Sequence, residues 1–380
     1  MENKKKPVVV SGIRPTGRLH LGNYWGALKN WMELQDTYDC YFFVADWHAL
    51  TTGLEESGNI YENTREMVLD WLALGLDPAR CVFFRQSDVK LHAELFMLLG
   101  MITPISWLLR NPAFKEQLVE LYKRKYKGQL RGDKLSDDKL TGKLLKALTP
   151  SDEEMAIKSD LSTYGFLGYP VLQAADILLY DARFVPIGRD QLPHLELSRD
   201  IARRFNHIFG APVFSEPEPL FTSSPVVPGV DGRKMSKSYG NTIMLGEESG
   251  SLEAKIKKMY TDPLKLKVDD KGHPEGCVVC AFHKLYNPGW KNLETECREG
   301  RTGCGACKCR LMAFMDAQVG AFRERRRALA SSVNVEEILA AGAKKAIAAA
   351  ALKMAAASKA SGINLNPAVQ SDSHWRSKGT

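Results

Sequence analysis

The chain has 380 residues, a formal net charge of +7 and a hydrophobic share of 44%. That length exceeds one ordinary core and points to two domains, while no apolar run is long enough to span a bilayer and the charged start, Met1 to Lys6, is not followed by an apolar leader. A soluble, cytoplasmic chain with no membrane role is expected, and its basic excess fits a polyanionic partner without requiring one.

Apolar strand patterns at Pro7 to Ser11, Cys40 to Val44 and Cys81 to Arg85 are each followed by a helical period, among them Leu21 to Gln35 and Tyr61 to Leu74. The alternation predicts an α/β fold with a Rossmann-like parallel sheet, whose loops after the strands share one ligand-binding edge. Helical patterns continue at Ala93 to Gly100 and, past Asn111-Pro112, through a basic stretch, Lys123 to Lys146. Tyr169 to Leu179 reads as a buried helix, Phe184 to Pro186 as a short strand, and Gln191 to Phe209 as an amphipathic helix. Pro212 to Gly232 is mainly loop, with room for a short edge strand. From Leu252 the pattern is helical, interrupted by a cysteine-rich segment and closed by an alanine-rich run, Val335 to Ala357, expected to pack in a C-terminal bundle. The expected division is a catalytic domain over 1–215 with a basic insertion at about 119–160, a linker over 216–250, a helical domain over 251–357, and a disordered tail over 358–380.

Two short blocks carry chemistry. Pro15-Thr16-Gly17-Arg18-Leu19-His20-Leu21-Gly22-Asn23 follows the first strand and enters a helix, where a helix N-terminus can hold a phosphate. Lys234-Met235-Ser236-Lys237-Ser238 puts two lysines three apart on a glycine-flanked loop, able to follow charge developing on a phosphate. These blocks resemble the HIGH and KMSKS elements of class I aminoacyl-tRNA synthetases. Their surroundings narrow the resemblance to the bacterial tryptophanyl family: Ser11 to Tyr24, Gly26-Ala27-Leu28, Asp46-Trp47-His48-Ala49-Leu50, Tyr169 to Leu178, Gly188-Arg189-Asp190-Gln191 and His194 to Asp200.

The resemblance implies ATP-dependent activation of L-tryptophan and its transfer to tRNA(Trp), with Mg²⁺ on the phosphates, by a homodimer. In an in-line attack of a carboxylate on the α-phosphate, the protein's work is positioning and charge stabilisation. On that chemistry His20 and Asn23 donate to phosphate oxygens, Gly22 admits the adenine or ribose, and Lys234 and Lys237 hold the leaving pyrophosphate. The implied ATP site also includes Arg14, Pro15, Thr16, Gly188, Arg189, Met235, Ser236 and Ser238, with Asp190 on the ribose hydroxyls. Asp176 is implied to read the side chain: a buried acceptor facing an indole N–H rejects phenylalanine, which leaves it unpaired. Tyr169, Gln173 and Asp176 stand at i, i+4 and i+7 on one helix face; His48 lines the same pocket and Gln191 contacts the substrate carboxylate or ammonium. Gln173 stands where many tryptophanyl enzymes have methionine, and the pattern is also similar to that of tyrosyl enzymes, so tyrosine is the rival substrate. A synthetase-like RNA-binding protein without activation is the rival of another class; intact His20, Asp176, Lys234 and Lys237 oppose it.

Cys40 and Cys81 lie in apolar runs and read as inert core residues. Cys277, Cys280, Cys297, Cys304, Cys307 and Cys309 crowd into one segment, which in a cytosolic chain argues for metal rather than disulfides. Cys277-Val-Val-Cys280 and Cys304-Gly-Ala-Cys307, separated by 23 residues, approach a zinc ribbon. Alternatively Cys297, Cys304 and Cys307, with Cys277 as fourth ligand, resemble the [4Fe–4S] site of a subset of bacterial tryptophanyl enzymes, leaving Cys280 and Cys309 spare. The expected role is structural, holding helices that face the tRNA anticodon. Lys123, Arg124, Lys125, Lys127 and Arg131 of the insertion are expected on a solvated helical face, with contact to the tRNA backbone as the alternative.

Overall fold

A computed structural model describes residues 6–52, 54–125, 163–221 and 227–363. Most of the basic insertion, including Lys127 and Arg131, and the tail beyond 363 lie outside the described residues.

Strands β1 (Val8–Ile13), β2 (Asp39–Val44), β3 (Cys81–Arg85), β4 (Phe184–Ile187) and β5 (Glu218–Phe221) form one parallel sheet in the order β3-β2-β1-β4-β5. This is the doubly wound Rossmann order, in which the winding direction reverses beside β1. Successive residues alternate between faces, as a pleated strand requires: Val9, Phe42 and Phe83 enter one apolar core, Val10, Phe43 and Phe84 the other. β5 lies at the sheet's edge, where Pro219 is tolerated.

Among the described residues, the helices that precede β4 are α1 (Leu21–Asn23), α2 (Lys29–Leu34), α3 (Asp46–Leu50), α4 (Ile60–Leu74), α5 (Leu91–Ile102), α6 (Ile105–Arg110), α7 (Pro112–Lys125) and α8 (Tyr164–Leu178). A π-helical turn, Tyr24–Leu28, joins α1 to α2. Trp31 of α2 stacks on Phe42 with ring centroids 4.2 Å apart, and Trp71 of α4 meets Trp31 edge-on. α5, α8 and α9 (Leu192–Phe209) fill the opposite face.

Beyond the sheet come α10 (Ser249–Lys258), α11 (Val278–Tyr286), α12 (Trp290–Arg298), α13 (Cys304–Ser332) and α14 (Val335–Ala360). Leu252, Ile256, Phe282, Leu311, Met315 and Phe322 share the core that holds Trp31 and Trp71, so the C-terminal helices are joined to the catalytic sheet by continuous apolar packing.

The alanine-rich helix departs from expectation. α14 leaves the C-terminal bundle and packs along β3, the sheet's other edge, with Ala346, Ala350, Met354 and Ala357 buried in the second core. Its small residues explain the approach: a Cβ on Gly342 would fall 1.7 Å from the Phe83 carbonyl oxygen. Covering an edge strand with a helix is one way to protect it from pairing with another chain. Among the described residues no helix is long and apolar enough to cross a membrane.

Candidate active site

Between the carboxyl ends of β1 and β4, where the strand order reverses, opens a cavity of about 390 Å³. His48, Tyr169, Gln173, Asp176, Gly188, Gln191 and Arg14 all line it. The helical spacing therefore does bring Tyr169, Gln173 and Asp176 of α8 onto one wall, and the short α3 after β2 carries His48 to meet them.

Asp176 is 2% exposed and surrounded by donors. His48 Nε2 donates to its Oδ2 at 2.9 Å, His92 Nδ1 to its Oδ1 at 2.7 Å, and Gln86 Nε2 to both oxygens at 2.7 and 2.9 Å. Tyr180 Oη, 2.7 Å from His92 Nε2, donates to it and so sets the His92 tautomer. Burial alone pushes the Asp176 carboxyl up, but the hydrogen bonds from His48 and His92 outweigh it and hold the group below its ordinary value. The result is a dry carboxylate on the cavity wall, ionised at neutral pH. His92 and Gln86 escaped the sequence reading because their partner lies 84 and 90 residues away.

Tyr169 Oη lies 3.1 Å from His194 Nε2, and Asn111 Nδ2 donates to His194 Nδ1 at 3.4 Å. Burial lowers His194 to about 4 and raises the Tyr169 phenol, so both are neutral. Gln191 Nε2 donates to Asp190 Oδ2 at 3.0 Å, Arg189 lies over the Phe221 ring, and Arg14 donates to Thr52 Oγ1 at 3.0 Å.

The two chemical blocks meet each other, but His20, Asn23, Lys234 and Lys237 do not line this cavity. His20 N–H donates to Asn23 Oδ1 at 3.0 Å, so the Asn23 carbonyl locks the turn that opens α1. Leu21 N–H donates to Ile243 O and Leu245 N–H to Leu19 O, both at 2.9 Å, flanking an antiparallel bridge between His20 and Met244. The segment just past the lysine block is thus stitched to the His20 turn. Lys237 Nζ donates to Thr16 O at 2.7 Å. It passes beside Gly17, whose φ of +94° suits glycine. A Cβ on Gly22 would fall 2.9 Å from the His20 ring, which gives that glycine a reason independent of any ligand. The His20 Nδ1 atom is buried with no hydrogen-bond partner, and burial, reinforced by the Lys237 charge, lowers the imidazole to about 4. Lys234 is exposed and Met235 buried.

Asn241, 2% exposed, organises this loop: its Oδ1 accepts the Ser236 N–H at 2.9 Å, and its Nδ2 donates to Asp231 Oδ1 at 2.8 Å and to Lys234 O at 3.2 Å. Its position after the lysine block was visible in sequence, but its convergent contacts were not.

The sequence profile of class I tRNA synthetases (W and Y) matches residues 2–319. The chain belongs to that family. This synthetase is 44% identical over 379 residues to the tryptophan–tRNA ligase of Aquifex aeolicus, covering 89% of the chain and 95% of the relative. It is 41% identical to that of Thermotoga maritima, covering 91% and 96%. Its fold matches the crystal structure of tryptophanyl-tRNA synthetase from Campylobacter jejuni complexed with ADP and tryptophan, with a TM-score of 0.74, 32% identity, and coverage of 93% of this chain and 99% of that one. A tyrosyl-tRNA synthetase from Archaeoglobus fulgidus, 21% identical with a TM-score of 0.59, shares the fold.

In this synthetase the cysteine segment also converges. Cys277, Cys280, Cys297, Cys304 and Cys307 line one small cavity with Asp262 and His273 at its margin, while Cys309 is exposed and apart. The two thiols left spare by spacing are therefore different: Cys280 faces the cavity and Cys309 does not. Burial raises Cys280 to about 11 and Cys307 to about 12, and the neighbouring thiols add to the rise. Among the described residues no three His, Cys, Asp or Glu side chains form a ligand set for a single ion. Cys40 and Cys81 are paired neighbours on β2 and β3, both buried, as core residues should be.

Proposed function

We propose that this chain activates L-tryptophan with ATP and transfers it to tRNA(Trp). The observation that carries the reading is the buried, ionised Asp176 on the wall of a cavity at the sheet's switch point. His48, His92 and Gln86 hold the carboxylate with four hydrogen bonds, two to each oxygen, and an indole N–H entering the cavity would take the place of one of them. Tyr169, Gln173 and His48 enclose the ring, and Gln191 reaches the amino acid's polar end.

ATP lies along the His20 turn in this reading, with Gly188, Arg189 and Asp190 toward the ribose. His20, neutral at pH 7, donates to a phosphate oxygen as a dipole; Asn23 keeps the turn in place. Lys234 and Lys237 stabilise the charge of the departing pyrophosphate, with Arg14, Pro15, Thr16, Met235, Ser236 and Ser238 shaping the surrounding loops. Mg²⁺ arrives with the triphosphate, since this ion is held largely by substrate phosphates. The tryptophan carboxylate is itself the nucleophile, so no side chain needs activating.

For the cysteine cavity we favour a [4Fe–4S] cluster on Cys277, Cys297, Cys304 and Cys307. Thiols dominate the lining, which suits iron–sulfur or zinc. The spacing of Cys297, Cys304 and Cys307, with Cys277 as the fourth, favours the cluster, and Cys280 on the same cavity keeps zinc as the alternative. Bound there, the cluster would serve as a structural staple for α11, α12 and α13. Helices α10 to α13 form the tRNA-facing domain, 251–357 less the part of α14 on the sheet, with 216–250 as the linker. The exposed Met97, Met101, Ile105 and Tyr164 give a second copy an apolar surface for a homodimer, working in the cytoplasm.

The test is ATP–pyrophosphate exchange with each of the twenty amino acids. Exchange with tryptophan alone is expected; exchange with tyrosine alone, or with none, overturns the reading.

A further inference from the structure

Asp70 is a carboxylate in the middle of α4, 2% exposed and absent from the chemistry above. Its Oδ2 accepts the N–H of Leu19, the residue before His20, at 3.1 Å. Its Oδ1 accepts from Arg326 Nε at 2.5 Å, and Arg326 Nη2 donates onward to Glu66 Oε2 at 2.6 Å. Arg326 therefore forks across two carboxylates of α4, a geometry that lysine does not reproduce. Burial pushes the Asp70 carboxyl above its ordinary value despite the opposing Leu19 amide and Arg326.

Arg326 belongs to α13, whose first turn supplies Cys304 and Cys307 to the cysteine cavity. At about 1.5 Å per residue, roughly 33 Å of unbroken helix separates Cys304 from Arg326. The same helix holds the other side of the His20 bridge. Arg323 Nη1 donates to Glu247 O at 2.6 Å, and Glu247 Oε2 accepts the N–H of Met244, the bridge partner of His20, at 2.8 Å. Both strands of the bridge are thus anchored from one face of α13.

We propose that Arg326 and Asp70 are positioning residues for the ATP-binding turn, through which the seating of α13 in the C-terminal domain sets the placement of His20. The inference rests on the assignment of the His20 turn to ATP and concerns nucleotide affinity specifically. α13 acts as a rod: displacement at its cysteine end moves both anchors together.

The test measures binding of a non-hydrolysable ATP analogue and, separately, of tryptophan to the full chain. In Asp70→Leu with Arg326→Met, the buried pair is replaced by apolar groups, an exchange that is often neutral for stability, while the Leu19 N–H loses its acceptor. The nucleotide Kd is expected to rise about tenfold and the tryptophan Kd to stay within about twofold. Arg326→Lys, which keeps the charge and loses the fork, is expected to give an intermediate rise of about threefold. A parental nucleotide Kd in the folded double variant overturns the inference; should that variant fail to fold, a parental Kd in Arg326→Lys overturns it. A parent that binds nucleotide and not tryptophan refutes the tryptophan reading alone and leaves this comparison intact.

Discussion

Gly229 and Asn241 fit so closely that a Cβ at position 229 would fall 2.2 Å from Asn241 Nδ2. Because Asn241 fixes Ser236 and Lys234, any side chain at 229 must displace the amide that shapes the lysine loop. Gly229→Ala is therefore expected to lower the kcat of tryptophan-dependent exchange by about tenfold or more, and Lys237→Ala by about 10²-fold, with tryptophan affinity unchanged in both. Steady-state exchange kinetics with tryptophan binding measured separately decides it; parental kcat in Gly229→Ala would show the loop to be indifferent to Asn241.

Removing the carboxylate at Asp176 strands the buried donors Gln86 and His92 and the part-buried His48. Asp176→Ala should lower kcat/KM for tryptophan at least about 10²-fold and destabilise the fold by about 2–4 kcal/mol. Asp176→Asn retains one acceptor and should lose less stability than it loses activity. Full exchange activity in either variant removes Asp176 from substrate recognition.

Acid should loosen the molecule before it protonates the carboxylates. His194 stays neutral in the fold down to about 4, whereas the unfolded chain binds a proton near 6.5. Between those values the unfolded state holds the extra proton, so stability falls as pH drops from 6.5 toward 4, by up to about 3 kcal/mol from this residue. His20 contributes in the same direction. Asp176, held below its ordinary value, adds stability that is intact above about 4 and lost below it. Urea midpoints of His194→Gln should depend less on pH than the parent's across 4 to 6.5; equal slopes would contradict the assignment.

For the cysteines, Cys304→Ala should abolish iron and the visible absorption band and weaken tRNA charging while tryptophan-dependent exchange survives. Cys309→Ala should keep both metal and band. Iron and acid-labile sulfide analysis of anaerobically purified protein checks this, and zinc without iron in the parent would exclude the cluster.

Met101 is 73% exposed beside Ile105. Met101→Glu, a charge placed on that apolar surface, should shift the sedimentation of the chain from dimer to monomer with nucleotide affinity retained. An unchanged sedimentation coefficient would remove this surface as a dimer interface.

The sheet was largely legible because its buried strands are continuous apolar runs, such as Cys40 to Val44, separated by amphipathic helices. One wall of the cavity was legible too, since helical spacing alone puts Gln173 and Asp176 on one face. What the sequence concealed depends on distant partners. Gln86, His92 and Asp70 carry no local pattern that announces a hydrogen bond to Asp176 or Leu19. The alanine-rich helix was misplaced for a related reason: a thin apolar stripe indicates close packing but not the surface it meets, and Gly342 marks a strand edge only once Phe83 is seen against it.

That arrangement ties the fate of β3 to a helix more than 200 residues downstream of it in the chain. A polypeptide whose synthesis stops before Val335 would carry the His20 turn and the lysine loop yet leave the β3 backbone bare, inviting intermolecular pairing. Prematurely ended products should therefore clump and be cleared instead of persisting as half-active enzymes that compete for ATP.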